Sequence, residues 1–232
     1  MKKSNRYIIA TIKSWNIETA QKFIAANPGF EIELITDKKT LSFDRVKAFD
    51  PEYIFFPHWS WIIPQEIYDN FECVVFHMTD LPFGRGGSPL QNLIERGIYK
   101  TKISALRVVG QVDSGPVYMK RNLDLAGKAS EIFTCAAEII FEDMIAAIIR
   151  DKPVPIEQEG AVVTFTRRKS EQSNIADLAS STKIYDYIRM LDAEGYPPAF
   201  VDTGALSIEF CNARQEGEYI LAQAKIKIKD EG

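Results

Sequence analysis

Histidine is the scarcest ionisable residue in this chain of 232 residues, with two copies, and cysteine follows with three. Cys73, Cys135 and Cys211 are odd in number and far apart. They offer no CxxC pair and no zinc ligand set, so no metal is expected and the thiols read as buried and reduced in a cytoplasmic protein. Positive charge is not in excess: 28 Lys and Arg face 32 Asp and Glu, for a net charge of −4. That balance argues against a broad nucleic-acid surface. Long apolar runs are missing too. The N-terminal run MKKSNRYIIATIK has an apolar stretch only from Tyr7 to Ile12, too short for a signal peptide. The most apolar long segment, Glu131 to Ile149, carries Glu138, Glu142 and Asp143, and reads as a buried amphipathic helix, not a membrane span. No GxGxxG follows the first strand, and no Lys-Ser/Thr completes a P-loop, which excludes the common nucleotide-binding motifs.

What is present is an alternation. Strand-like runs at Arg6 to Ile12, Glu31 to Ile35, Tyr53 to Phe56 and Cys73 to His77 are separated by helical segments near 16–25, 42–50 and 64–70. This order predicts an α/β fold with a Rossmann-like, doubly wound, mostly parallel sheet. Ile103 to Val109 and Val117 to Leu125 are joined by a short link around Asp113 and predict an antiparallel addition to that sheet. One helix from about Ser130 to Arg150 follows. Asp151-Lys-Pro-Val-Pro155 marks a boundary. It separates a domain at 1–152 from a small mixed α/β appendage at 153–232, with strands near 161–166, 205–210 and 219–229 and a helix near 182–192.

In an open α/β sheet, ligands bind at the carboxyl ends of the parallel strands. Thr11 to Trp15, Pro57 to Pro64 and His77 to Gly87 fall there. The glycine-rich stretch Gly84-Arg85-Gly86-Gly87 lies between a strand and a helix, where backbone can be approached closely. If the link around Asp113 reaches the same edge, His77 and Asp113 form an imidazole–carboxylate pair suited to acid–base work near neutral pH. The residues alone favour plainer roles, a packed histidine and a turn-forming aspartate. Trp59 and Trp61 are as consistent with core packing as with a ligand, and Arg167 and Arg168 read as exposed loop residues.

The stretch HMTDLPFGRGGSPLQ, His77 to Gln91, resembles the His-x-x-x-Leu-Pro-x-x-Arg-Gly-x-x-Pro-x-Gln signature of the 10-formyltetrahydrofolate-dependent formyltransferases, which share a methionyl-tRNA formyltransferase-like fold. Asp113-Ser114-Gly115, 36 residues after His77, resembles the second half of that signature. FFPHWSWIIPQEI and the stretches RRKSEQSNI and IRMLDAEGYPPAF extend the likeness over roughly residues 6–200. The resemblance implies that His77 transfers protons and that Asp113 orients it. It implies a cofactor, 10-formyltetrahydrofolate, lying across Trp59, Ser60, Trp61, Ile62, Ile63 and Pro64, with Arg85, Gly86 and Gly87 lining the channel. The expected acceptor is the amine of a nucleotide-linked amino sugar, in surface-glycan biosynthesis of the pseudaminic-acid type, with Lys13, Trp15 and Thr79 as substrate contacts. An acidic chain that stops short of a further nucleic-acid-binding domain makes a transfer-RNA acceptor unexpected, so the expected partners exclude nucleic acid and membrane and allow a homodimer. The rival readings are formylation of a carrier-bound aminoacyl group and a catalytically silent folate or sugar binder. The silent reading draws on Val75, which stands where the family's catalytic set has an Asn two residues before the His.

Overall fold

The computed structural model describes residues 5–229. The first residues of the N-terminal run considered above lie outside that range. The chain divides into two compact units. One holds residues 1–85, 101–123 and 134–164; the other holds 86–100, 124–133 and 165–232.

The larger unit is built on a six-stranded sheet in the order β2-β1-β3-β4-β6-β7. Its strands are β1 (Arg6–Ala10), β2 (Glu31–Ile35), β3 (Tyr53–Phe56), β4 (Cys73–His77), β6 (Lys100–Arg107) and β7 (Val117–Asp124). β1 runs parallel to β2 and β3, and β3 parallel to β4. β6 then pairs with β4 antiparallel, placing His77 opposite Ser104. This is the mostly parallel sheet with an antiparallel addition that the alternation of runs predicts. The helices between strands are α1 (Ser14–Ala26), α2 (Phe43–Phe49) and α3 (Gln65–Tyr68). Alternation along each strand sends Ile8, Ala10, Ile54, Phe56 and Cys73 to one face, where they meet Val46 of α2 and Ile67 of α3 in a closed apolar cluster. Val75 and Trp59 pack against that cluster. Burying a side chain of this size removes about 1.5–3 kcal/mol worth of apolar surface from water, which is why the strands read as continuous apolar runs.

The segment expected as one helix over 130–150 has three parts: α5 (Ala129–Glu138), a wider π-helical stretch (Ile139–Ile145) and α6 (Ala146–Asp151). Ile140, Phe141, Met144 and Ile145 of the π stretch are buried, and Phe141 meets Phe23 of α1 with ring centroids 6.1 Å apart. No helix among the described residues is long and apolar enough to cross a membrane.

Two short strands were not legible in the sequence, one at Phe83–Gly86 and one at Ala199–Asp202. β5 (Phe83–Gly86), inside the glycine-rich stretch, forms a two-stranded ladder with β8 (Val163–Phe165). In the second unit, α4 (Pro89–Glu95) and α7 (Ser181–Arg189) accompany a three-stranded sheet in the order β11-β10-β9, made of β9 (Ala199–Asp202), β10 (Leu206–Glu216) and β11 (Tyr219–Ile228). β10 is antiparallel to both neighbours. Arg168 belongs to the frame of this unit: its Nη1 lies 2.6 Å from Glu95 Oε2, its guanidinium sits over the Tyr187 ring, and its side chain is buried.

Candidate active site

The site grows from the carboxyl end of β4. Residues two apart share a strand face, so His77 follows Cys73 and Val75 on the face of the apolar cluster. The chain then turns over and returns as β5. Ser104 on β6 holds the turn: its hydroxyl donates to the Thr79 carbonyl at 2.7 Å and accepts from the Leu81 N–H at 3.4 Å. Asp80 is held by Lys102 at 2.9 Å and Lys120 at 2.6 Å. The return brings the Gly84 carbonyl to 2.7 Å from His77 Nε2. A carbonyl can only accept, so Nε2 carries the hydrogen in this arrangement.

The other ring nitrogen, Nδ1, faces Asp113 Oδ2 at 3.4 Å. Both side chains are largely removed from solvent, 9% and 15% exposed. The structure therefore brings together the two residues singled out by the sequence. With Nε2 already protonated, a neutral ring would turn its Nδ1 lone pair toward a carboxylate. Protonating Nδ1 converts that clash into a charge-assisted N–H···O contact. A ring protonated at both nitrogens presents N–H groups in both directions.

Asp113 is placed by a strained turn. It has φ of +52°, in the left-handed region that aspartate tolerates better than most residues. Two residues on, Gly115 passes so near β6 that a Cβ built on it would lie 1.9 Å from the Arg107 carbonyl oxygen. Arg107 cannot yield easily. Its guanidinium is bidentate on Glu72, at 2.6 and 3.0 Å, and its N–H donates to the Pro116 carbonyl at 2.9 Å. Gln158 closes the turn from the far side. Its Nε2 donates to the carbonyls of Asp113 at 2.9 Å and Gly115 at 2.8 Å, while its Oε1 accepts from Arg85 Nε at 3.1 Å and Nη2 at 2.8 Å. No sequence signal marked Gln158, which lies in a polar loop far along the chain.

The remaining sequence candidates fall in different places. Trp59 packs edge-on against Phe56 and Trp61, with centroids 5.8 and 5.1 Å away. Its buried Nε1 has no hydrogen-bond partner. Ser60, Trp61, Ile62 and Pro64 are exposed, Ile62 to 91%, and Ile63 is buried. Lys13 Nζ lies 5.7 Å from the centre of the Trp15 ring, which in turn sits edge-on to His58 at 5.4 Å. His58 also went unmarked by its spacing. It lies in the turn two residues past β3 with φ of +54°, and burial, then the Lys13 cation, push its pKa down to about 4.

Two of the expected site positions have structural roles of their own. Thr79 is fully buried and its hydroxyl donates to the Gly84 carbonyl at 3.4 Å, so it shapes the turn and presents no surface to a substrate. Gly86 and Gly87 do permit close approach, but the chain itself makes it. A Cβ on Gly86 would lie 2.4 Å from the Phe165 carbonyl oxygen, and one on Gly87 2.6 Å from Arg167 Cβ. No group of His, Cys, Asp or Glu among the described residues could hold a metal ion.

Comparison with known proteins places this arrangement. Residues 170–227 match the family model described as "Methionyl-tRNA formyltransferase, C-terminal domain". The solved structure titled "Methionyl-tRNA formyltransferase from Clostridium thermocellum" superposes with a TM-score of 0.95 and 57% identity, covering 97% of this chain and 99% of that one. A methionyl-tRNA formyltransferase of Campylobacter lari is 25% identical over 202 residues, 84% of this chain and 66% of that protein. The chain thus spans slightly under two thirds of that curated relative's length. A sugar N-formyltransferase from Shewanella shares the fold, with a TM-score of 0.68, but only 12% identity. These findings overturn the nucleotide-sugar acceptor and the exclusion of nucleic acid. Length misled because residues 170–227 already match a methionyl-tRNA formyltransferase C-terminal domain. Net charge misled because a global sum says nothing about where charges sit. At 57% identity to a relative that it covers almost end to end, the chain belongs to the methionyl-tRNA formyltransferase-like formyltransferase family.

Proposed function

We propose that this protein transfers a formyl group from 10-formyltetrahydrofolate to the amine of an aminoacyl group carried by transfer RNA, methionyl-tRNA in the first instance. The observation that carries the reading is the His77–Asp113 pair, 3.4 Å apart at the strand end, in a chain of this family. Bound 10-formyltetrahydrofolate supplies the activated formyl carbon. The residues at 59–64 suit it: Trp61 and Ile62 offer exposed apolar surface, and the buried Trp59 Nε1 is a donor in want of an acceptor. His77 holds and moves the proton. Its Nε2–H, now on the Gly84 carbonyl, is the hydrogen that an oxygen or nitrogen of the reacting group would take up in exchange. Asp113 keeps the ring oriented and stabilises its charged form. The domain division drawn at 152/153 and a cytoplasmic location belong to the same reading.

Val75 bears on the rate. It has no donor and packs against the apolar cluster, so the developing oxyanion must find its hydrogen elsewhere. The Nε2–H of His77 takes that role once it leaves the Gly84 carbonyl, which the Thr79 hydroxyl also approaches. Val75 is also the one observation favouring a silent folate binder as the second reading.

The test is incubation of the full chain with 10-formyltetrahydrofolate and charged initiator transfer RNA. Formylmethionine released from the RNA is read by mass spectrometry, with His77→Asn as the control. Folate binding without product on methionyl-tRNA or any other aminoacyl-tRNA would sink the proposal and leave the silent binder.

A further inference from the structure

Ile156, Glu157, Glu159 and Gly160 are exposed, as a polar surface loop should be. Gln158 in their midst is half-buried, and its amide makes four hydrogen bonds between 2.8 and 3.1 Å. Two are donated to carbonyls of the turn that carries Asp113. Two are accepted from the guanidinium of Arg85, which lies next to the Gly84 carbonyl that holds His77. The cation on Oε1 polarises the amide and strengthens its donation from Nε2. One side chain therefore ties both supports of the imidazole together: the carboxylate at Nδ1 through Asp113, and the strand carrying the carbonyl at Nε2 through Arg85. The left-handed conformation of Asp113 is costly for a non-glycine residue and persists only where its surroundings impose it.

We propose that Gln158 is a positioning residue that fixes the Asp113 carboxylate against His77 and couples that turn to Arg85. Only the turnover part of this inference rests on the formyl-transfer reading. A one-ångström displacement of a reacting or orienting group costs about a hundredfold in rate. Gln158→Ala should therefore lower kcat by about tenfold to a hundredfold with little change in KM. Gln158→Glu should do the same. It keeps an acceptor for Arg85, and hence the fold, but sets a carboxylate against two carbonyl oxygens.

The experiment uses the full chain labelled with 15N-histidine. The chain has two histidines, so His77→Asn assigns the ring nitrogens of His77 by difference. Both Gln158 variants should move the Nδ1 resonance of His77 in the direction that Asp113→Ala moves it. In the Asp113→Ala background, Gln158→Ala should then cause no further loss of kcat. A His77 Nδ1 resonance left in its wild-type place by both Gln158 variants, while Asp113→Ala shifts it, overturns the proposal. So does a full additional loss of rate in the double variant. Should the wild-type chain transfer no formyl group, the ring-nitrogen measurement still decides the positioning role, because it needs no turnover.

Discussion

Gly115→Ala isolates the geometry of the site from its chemistry. The added Cβ would stand 1.9 Å from the Arg107 carbonyl oxygen, 3.0 Å from its carbon and 3.4 Å from Val109 Cγ1. Real Cβ atoms do not approach within 3.0 Å, so at least 1.1 Å (3.0 less 1.9) must be made up by movement. β6 resists, because Arg107 is bidentate on Glu72 and Glu72 also accepts from the Tyr118 hydroxyl. The turn must retreat, taking Asp113 with it. A displacement of that size lengthens the 3.4 Å contact with His77 beyond ion-pair range and should cost about a hundredfold in kcat/KM. Overpacking should also lower stability by about 1–3 kcal/mol. Gly110→Ala is the matched control, since a Cβ there meets only the Tyr68 hydroxyl, at 3.8 Å. Single-turnover formylation of methionyl-tRNA and thermal unfolding, run on both variants, check the expectation. Activity of Gly115→Ala within about threefold of wild type, with the fold intact, would falsify the claim that this turn sets the carboxylate.

Replacing His77 with Asn should lower turnover by about 100- to 10,000-fold with unchanged folate binding, measured by calorimetry alongside the rate. Val75→Asn should change the rate by less than about threefold if the His77 Nε2–H serves the oxyanion, and should lower the unfolding midpoint by placing an amide against the apolar cluster; a hundredfold gain would favour the silent reading. His58 supplies a pH test. Its pKa is pushed down to about 4 by burial and the Lys13 cation, below its ordinary value of 6.5. As pH falls from 6.5 toward 4, the unfolded chain binds a proton that the native one refuses, so stability present above 6.5 is lost through that window, on the order of 1–3 kcal/mol. His58→Asn, which suits a left-handed conformation, should flatten the unfolding midpoint against pH there, and a curve parallel to wild type would count against the assignment. Cys73 is buried, and burial followed by the Glu72 carboxylate raises its thiol pKa, so iodoacetamide at neutral pH should label exposed Cys135 and leave Cys73 unmodified by mass spectrometry.

The sheet was legible because its information is local. Continuous apolar runs such as Tyr53 to Phe56, separated by helices, admit few arrangements other than buried parallel strands. His77 and Asp113 were legible as types of residue at a spacing, and the likeness to the family gave them roles. Nothing local marks Gln158, 45 residues from Asp113 and 73 from Arg85, because an amide's four bonds exist only once three segments are side by side. The same holds for β5. Phe83-Gly84-Arg85-Gly86 has two glycines and little strand propensity, and it becomes a strand because Val163–Phe165 lies alongside to complete its hydrogen bonds. The glycines at 86 and 87 show the limit most plainly. Sequence alone determines that no side chain stands there, and hence that something approaches the backbone. Only the tertiary structure decides that the visitor is the chain's own Phe165 and Arg167, because the absence of a Cβ fixes the space available and not its occupant.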